Sequence, residues 1–314
     1  LRPAARNGDP VSALANEFSW SFSRHATFHA CLKRYYFAYY AAWGGWEDSA
    51  PARTREFYIL KRLQTRQQWA GHHAHQAIEF LLKHARRDPA QAAQAEPRQI
   101  ERMRTEFRDS RAGAYRQNPV RTPALFEHEY RLDISPEEWK ATVDRVSAAI
   151  RQFLASPLWE ELRALPDDAF LAVERRARFV LDGLTVLAVP DLAVRQNGRV
   201  RIFDWKTGQT PLDEHRIQLG IYSLLALDRW TADPAEIEAV AYNPVNGQSE
   251  SFRYSADNVE TLRDFIRDSA DEMLFPLEDP EHNLPGDGSF FECTGAAEPC
   301  PSCPFLRACP RWTS

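Results

Sequence analysis

Residues 189–206 read VPDLAVRQNGRVRIFDWK, two apolar runs on either side of Asn197-Gly198. An Asn-Gly pair between alternating apolar runs favours a two-residue type I′ β-hairpin turn. If these two residues form the loop, counting outward from the turn places Asp191 directly opposite Asp204. Facing side chains in an antiparallel pair have Cβ atoms roughly 5 Å apart, where like charges destabilise. Two opposed acids on a buried strand therefore require a cation.

Lys206 follows Asp204 by two residues, so both side chains project from the same strand face, which they share with Val200 and Ile202. Burial of two charged groups beside an apolar stripe is costly without partners. An ordinary salt bridge at the strand end is one alternative. A bulge at Pro190 is another complication, because it would shift the register by one residue. We expect Asp191, Asp204 and Lys206 to form a metal-dependent site that handles a phosphate.

The whole chain has 314 residues, a hydrophobic fraction of 44% and nine Trp, which indicates a folded protein with ample core. The net charge of −5 means that nucleic-acid binding would need a local basic surface. No apolar run approaches the roughly 18 residues of a transmembrane helix, so no membrane association is expected. The sequence begins at Leu1 without an apolar signal segment, and we expect it to be part of a longer gene product. Five Cys without a secretory signal indicate a reducing, cytoplasmic compartment and metal or cluster ligation.

The chain divides into four segments of one integrated mixed α/β domain. They are an arm (1–20), a helical part with Cys31 and the His75 helix (21–165), a β-rich core (166–285) and a Cys-rich tail (286–314). Helices are predicted over residues 22–42, 62–84, 136–165, 210–230 and 256–273. Strands are predicted over 171–180, 185–195 and 200–205, forming a meander, with a further strand pair in 237–253.

Residues 87–121 are polar and rich in arginine. The basic residues include Arg98, Arg102, Arg104, Arg108, Arg111, Arg116 and Arg121, and the interleaved acids include Glu96, Glu101, Glu106 and Asp109. Such interleaving is typical of a solvated helix face, and the alternative is a nucleic-acid contact surface. The pattern alone leaves both interpretations open.

Two helices carry further candidate residues. Gln218 and Tyr222 are four residues apart, share a face and follow the strand that bears Lys206, so they can overhang the site. A buried tyrosine with a hydrogen-bonded glutamine in an ordinary core is the alternative. The cluster Gly71-His72-His73-Ala74-His75 offers three histidines, among which spacing does not choose. Gly71 lies one turn before His75 and allows another backbone to approach closely, and Glu79 lies one turn after it.

Cys300, Cys303 and Cys309 place three thiols within ten residues, separated and flanked by prolines. A tetrahedral site needs a fourth ligand, either Cys293 or the distant Cys31. Closure by Cys31 would tie the N-terminal helix to the tail across a long loop. Zinc and an iron–sulfur cluster both accept four thiolates, so spacing does not distinguish them.

Together these motifs resemble the PD-(D/E)XK nuclease superfamily, over roughly residues 21–310, and in particular its RecB-like iron–sulfur branch of CRISPR-associated and AddB-type exonucleases. The residues that match the motifs of the family in their order are Gly71 to His75, Asp191, Asp204-Trp205-Lys206, Gln218 with Tyr222, and Cys31 with Cys300, Cys303 and Cys309. Glu174 resembles a further acid that some members carry. Cys293 departs from the pattern and could replace Cys31.

The resemblance implies a restriction-endonuclease-like mixed sheet flanked by helices and a metal-dependent deoxyribonuclease that hydrolyses phosphodiester bonds. It implies one or two Mg²⁺ or Mn²⁺ ions held by His75, Asp191, Asp204 and the carbonyl of Trp205. Lys206 would act on the attacking water or the transition state, and Gln218 and Tyr222 would position the strand or the lysine. A structural [4Fe-4S] cluster is the expected occupant of the cysteines, with zinc as the alternative.

The implied substrate is DNA with a free end or single-stranded DNA, in repair, recombination or phage defence. The sequence does not distinguish DNA from RNA. It lacks the nucleotide-binding motif G-x-x-x-x-G-K-[ST], so unwinding would come from a helicase partner. A non-catalytic DNA-binding or scaffolding subunit of a helicase or adaptation complex is the alternative function.

Overall fold

A computed structural model describes residues 15–208, 210–231, 233–294 and 300–313. Most of the predicted arm, 1–14, lies outside these ranges, as does part of the Cys-rich tail. The end of the arm is held in place, because Trp20 is fully buried and forms a parallel bridge with Val186. No helix within the described ranges has the length and apolarity to cross a bilayer.

Strands in these ranges form three sheets. They are β1 (Leu63–Gln64), β2 (Ala124–Leu125), β3 (Phe170–Val173), β4 (Ala177–Leu181), β5 (Leu184–Ala188), β6 (Leu192–Gln196), β7 (Arg199–Trp205), β8 (Ile237–Tyr242) and β9 (Ser249–Phe252). The main sheet has the order β3-β6-β7-β8-β9, in which β7 and β8 are parallel and the other neighbours antiparallel. This arrangement is the predicted mixed sheet, and the predicted pair in 237–253 is confirmed as β8 and β9.

The hairpin of β6 and β7 has the predicted register. Gln196 pairs with Arg199 and, at the far end, Leu192 with Phe203. Asn197 (φ 51°) and Gly198 (φ 80°) both adopt the left-handed conformation that a type I′ turn requires. Pro190 does not shift this register, because the regular strand begins after it.

The two long strands predicted on either side of Asp182-Gly183 are each divided in the structure, so that prediction was wrong in detail. β4 and β5 form a separate two-stranded sheet around that turn, while β3 pairs with β6. Glu174 interrupts the first strand with a positive φ of 47°. Pro190 lacks the N–H that a continuous ladder would need, so the second strand breaks before Asp191.

Twelve α-helices occur in the described ranges, several with short π or 3₁₀ turns at their ends. They are α1 (Phe22–Ala30), α2 (Leu32–Tyr36), α3 (Ala52–Lys61), α4 (Arg66–Phe80), α5 (Pro89–Ala93), α6 (Ala95–Arg111), α7 (Phe126–Glu129), α8 (Pro136–Leu154), α9 (Pro157–Ala164), α10 (Arg216–Arg229), α11 (Ala256–Leu274) and α12 (Pro310–Thr313). α4 begins with a capping box, in which Thr65 accepts a hydrogen bond from the backbone of Gln68 and the Gln68 side chain accepts one in return.

Two predicted helices are broken. The first was predicted to carry Cys31, but that residue lies between α1 and α2 in an extended conformation (φ −169°, ψ 118°). The predicted helix over 136–165 divides into α8 and α9 at Ser156-Pro157, because a proline ring does not fit inside a helix but suits its first turn. The helix predicted from Thr210 begins only at Arg216, after a 3₁₀ turn over Leu212–His215.

The main sheet lies between two helical layers. Val200 and Ile202 belong to a core with α10 and α11, while Phe203 and Trp205 belong to a second core with α4 and α8. Successive residues of β7 therefore face opposite layers, as the strand period of two requires. The ends of β6 and β7 consequently lie between α4 on one side and α10 on the other.

Candidate active site

The site forms where β7 ends and where the chain enters β6. Asp191 is 5% exposed and Asp204 is 4% exposed, so both carboxylates are buried. Beyond the regular ladder, the backbone N–H of Trp205 donates a hydrogen bond to Asp191 Oδ2 at 2.5 Å. The hairpin thus carries both acids to the same edge of the sheet, and its regular ladder ends one pair before the predicted facing pair of Asp191 and Asp204.

His75, Glu174 and Asp191 converge from three elements. His75 Nδ1 lies 3.1 Å from Asp191 Oδ1 and 3.5 Å from Glu174 Oε1. One ligand atom from each of these residues lies within 4.8 Å of the other two. Glu174 is fixed there because its backbone N–H donates to the carbonyl of Asp191 at 2.9 Å. Its Oε1 is buried without a hydrogen-bond partner among the described residues, so this oxygen can accept a cation.

The electrostatics of this group favour a bound cation. Burial raises the pKa of Asp191 to about 7, and the carboxylates of Asp204 and Glu174 act in the same direction against His75. Burial lowers the pKa of His75, but the Asp191 carboxylate outweighs that effect and the pKa is raised well above its usual value. Both shifts reflect negative charge concentrated in a buried space, which a cation would offset.

A second group of side chains lies on the α10 side of the sheet. Lys206 Nζ forms an ion pair with Asp204 and donates to Gln218 Oε1 at 2.7 Å. Gln218 Nε2 in turn donates to the hydroxyl oxygen of Tyr222 at 2.8 Å. The helix pair Gln218–Tyr222 is thereby connected to the lysine rather than only to core atoms. Burial and the nearby Asp204 raise the pKa of Tyr222 well above its usual value, so its hydroxyl stays protonated.

The predicted metal ligands do not all fall into one group. Among the described residues, the close set contains His75, Glu174 and Asp191, and Asp204 lies outside it, paired with Lys206. Only the family resemblance indicated Glu174. Its position beside His75 could not be predicted from the spacing of the two residues in the sequence. Trp205 contributes its backbone to the site through its amide contact with Asp191.

The three clustered histidines have different environments. His73 is fully buried and its Nε2 lies 2.9 Å from Glu106 Oε2. His72 Nε2 lies 2.6 Å from the side-chain nitrogen of Gln76, so only His75 faces the acids. A Cβ on Gly71 would lie 2.8 Å from Thr207 Oγ1, so the close neighbour is a side chain rather than the predicted backbone.

A cleft of about 590 Å³ opens beside the site. We call it the candidate cleft, and its lining includes His72, His75, Gln76, Glu79, Glu174 and Thr207. Glu79, one turn after His75, forms an ion pair with Lys83 at 2.6 Å. The cleft gives a ligand access from solvent to His75 and Glu174.

The five cysteines line a single pocket. Cys31 reaches it from the break between α1 and α2, and its neighbour Lys33 donates its backbone N–H to the carbonyl of Glu292 at 3.0 Å. Cys293 Sγ lies 3.5 Å from Cys309 Sγ, so Cys293, which departs from the family pattern, also lies in this pocket. Burial raises the pKa of Cys293 to about 11, with Cys309 contributing, and burial also raises the pKa of Cys303. Thiolates in this pocket therefore need cationic stabilisation.

None of the curated proteins matches the chain. A solved structure described as "Crystal structure of SSO0001" is 18% identical, with a TM-score of 0.29, and the match covers 60% of this chain and 80% of that chain. The family model of the PD-(D/E)XK nuclease superfamily matches residues 19–310. The chain therefore belongs to the PD-(D/E)XK nuclease superfamily, which implies a hydrolase that cuts phosphodiester bonds.

Proposed function

We propose that the protein is a Mg²⁺- or Mn²⁺-dependent deoxyribonuclease that acts as an exonuclease on single-stranded DNA or on DNA ends. The main support is the convergence of His75, Glu174 and Asp191 next to the chain of contacts from Lys206 through Gln218 to Tyr222. An acid–histidine group and a partly buried ammonium at one edge of a sheet suit a substrate with a scissile phosphate. Roles in repair, recombination or phage defence follow from the resemblance to the RecB-like branch and are part of the proposal.

The donor atoms fit a divalent cation. Glu174 Oε1 is buried without a hydrogen bond, and burial raises the pKa of Asp191 to about 7. The surrounding protein groups therefore compensate the charge of these carboxylates only in part. Carboxylate oxygens suit Mg²⁺, and an imidazole in the set favours Mn²⁺. We propose His75, Asp191, Asp204 and the carbonyl of Trp205 as ligands, with Glu174 as an additional acid. A metal there would lower the pKa of a bound water and offset charge on the phosphate.

The chain's own residues have separate tasks. Asp204 and Gln218 hold the Lys206 ammonium from two sides, so that its charge is preorganised where negative charge develops on the phosphate. Tyr222 accepts a hydrogen bond from Gln218 and thereby fixes the orientation of the amide. Burial of these groups strengthens each interaction, since little water screens it.

We further propose that the cysteine pocket holds a structural [4Fe-4S] cluster ligated by Cys31, Cys300, Cys303 and Cys309. The gathering of five thiols beside Lys33 and Arg34 supports this, because cations offset the negative charge of thiolates. Such a cluster would tie the α1–α2 break to the C-terminal tail. Zinc is the alternative occupant, and Cys293 is the alternative to Cys31.

A cleavage assay tests the function directly. Purified protein is incubated with end-labelled single-stranded DNA, duplex DNA and RNA of the same sequence, with Mg²⁺, Mn²⁺ or EDTA. We expect metal-dependent loss of DNA from an end and no cleavage in EDTA. Binding of DNA without cleavage under any metal would instead support the scaffolding alternative, and preferential loss of the RNA would assign the other substrate.

A further inference from the structure

A second cleft of about 540 Å³ adjoins the candidate cleft. We call it the basic cleft, and its lining includes Gln76, Glu79, Lys83, His84, Arg98 and Arg102. Gln76 and Glu79 line both clefts, so the two clefts are neighbours along α4. They therefore lie side by side, within reach of one extended ligand.

The basic cleft carries an excess of positive charge. Lys83, Arg98 and Arg102 contribute three cations; Lys83 pairs with Glu79 and Arg102 pairs with Glu106, so Arg98 supplies the excess. Arg98 is exposed and has no carboxylate within 4.0 Å in the part of the chain that the structure describes. Its guanidinium lies over the Phe80 ring, 4.9 Å from the centroid, so its charge is positioned but not neutralised.

Arg102 is held in place from behind. Its Nε donates to Glu106 Oε1 at 2.8 Å, and Glu106 also accepts hydrogen bonds from the side chains of Trp69 and His73. Glu106 is 8% exposed, so this carboxylate forms a rigid anchor inside the protein rather than a competitor in the cleft. The rest of the Arg102 side chain is free to meet an anion at little entropic cost.

The other side of α6 differs. Arg104 and Arg108 line a separate groove with Trp139, and both guanidinium groups lie within 4.0 Å of Glu101, at 3.3 and 3.8 Å. That side has paired charges of the kind expected for a solvated helix. The two sides of the helix therefore differ, one with arginines paired to Glu101 and the other lining the basic cleft.

We propose that the basic cleft binds backbone phosphates of the nucleic-acid strand whose scissile bond lies in the candidate cleft. This inference rests on the proposed nuclease function and deepens it. Arginine, lysine and amide side chains contact phosphate oxygens without reading bases, so the binding is independent of sequence. Each phosphate neutralised releases counterions, which makes affinity fall as salt rises.

Equilibrium binding tests the proposal with a matched pair of variants on one helix, Arg98→Ala and Arg104→Ala. Both remove one exposed arginine from α6 and change the net charge equally. Fluorescence anisotropy of a labelled oligothymidylate is measured across a salt titration in EDTA, so that no cleavage occurs. We expect Arg98→Ala to weaken binding about three- to tenfold at low salt and to reduce the salt slope by about 0.7. Arg104→Ala should bind as the wild type does, and Arg98→Lys should keep most of the salt slope.

Each other result contradicts the inference. Equal binding by Arg98→Ala and the wild type would overturn it, as would an equal loss in Arg104→Ala, since that loss would reflect net charge alone. If the wild type cuts DNA and Arg98→Ala binds DNA normally, this inference is wrong and the nuclease function stands. A wild type that binds through Arg98 but cuts nothing with either metal would remove the nuclease function instead. Absence of any binding in EDTA would overturn this inference, and the cleavage assay with metal would still decide the nuclease function.

Discussion

The backbone amide of Trp205 donates a hydrogen bond to Asp191 Oδ2 at 2.5 Å. This contact runs from the backbone of Trp205 to the side chain of Asp191 and lies just beyond the last ladder pair, Leu192 with Phe203. It leaves Asp191 Oδ1 directed at His75, at 3.1 Å. One carboxylate thus joins the strand that carries Asp204 and Lys206 to the helix that carries His75.

Substitution of Lys206 or Asp204 by alanine should reduce cleavage at least about 100-fold, because each removes a charge placed for the transition state. Absorbance from the cysteine pocket should stay unchanged, since both residues lie at the sheet edge and not in that pocket. Lys140→Ala, an exposed lysine paired with Asp144, is the matched control and should cleave normally. Full activity in purified Asp204→Ala protein would contradict the proposed mechanism.

Removal of the side chains that position Lys206 should lower kcat by different amounts. Gln218→Ala deletes the 2.7 Å acceptor of the ammonium and should lower kcat about tenfold with a smaller change in KM. Tyr222→Phe deletes only the acceptor of the Gln218 amide and should lower kcat less. Steady-state kinetics with melting temperatures separate positioning from stability, and an effect of Tyr222→Phe larger than that of Gln218→Ala would contradict this order.

Acid should destabilise the protein through Glu106. Burial raises the pKa of this carboxyl, but hydrogen bonds from His73, Trp69 and Arg102 outweigh it and lower the pKa to about 2 from its usual 4.5. A depressed folded-state pKa contributes stability that is complete above about pH 4.5 and is lost as the pH falls towards 2. The contribution is up to about 3 kcal/mol in the free energy of unfolding.

The test is urea unfolding of the wild type and Glu106→Gln between pH 7 and pH 3. The stability difference between the two proteins should shrink as the pH falls. Protonation removes the negative charge of Glu106 in the wild type, and the substitution has already removed that charge in the variant. A difference that stays constant with pH would show that Glu106 is not ionised in its network. Glu101→Gln, an exposed acid on the same helix, serves as the control.

Cysteine substitutions should distinguish the ligands of the pocket. Cys303→Ser should lose bound iron and lower the melting temperature, because metal binding to the folded state alone stabilises it. Cys293→Ser should keep its iron if Cys31 is the fourth ligand, and Cys31→Ser should then lose it. Elemental analysis with visible spectra measures both, and retention of iron only in Cys31→Ser would assign Cys293 instead. Zinc in place of iron would contradict the cluster.

Local sequence rules predicted the elements that depend on neighbours along the chain. Asn197-Gly198 set the register of the hairpin because only a tight turn with two positive φ values joins those strands. Alternation along β7 predicted which residues face each layer, and the four-residue spacing of Gln218 and Tyr222 predicted their contact. The breaks in the predicted helices were harder to predict, since no proline or glycine beside Cys31 indicates that the helix is interrupted there.

Three elements of the site were decided by tertiary packing. Nothing in the run of three histidines selects His75. In the folded α4, His75 faces Asp191 and His73 faces Glu106. Glu174 reaches the group because a positive φ ends β3 beside Asp191. The arginine-rich helix acquires a cationic side only where α6 packs against α4.

The sequence by itself determined the hairpin with its two acids and lysine, the glutamine–tyrosine helix and the presence of a cysteine set, because each depends on short-range spacing and backbone chemistry. Only the tertiary structure decided which histidine meets which acid, that Glu174 rather than Asp204 completes the close group, and that all five thiols share one pocket. These outcomes depend on contacts between residues far apart in the chain. Burial and packing of whole layers fix such contacts, and no local pattern encodes them.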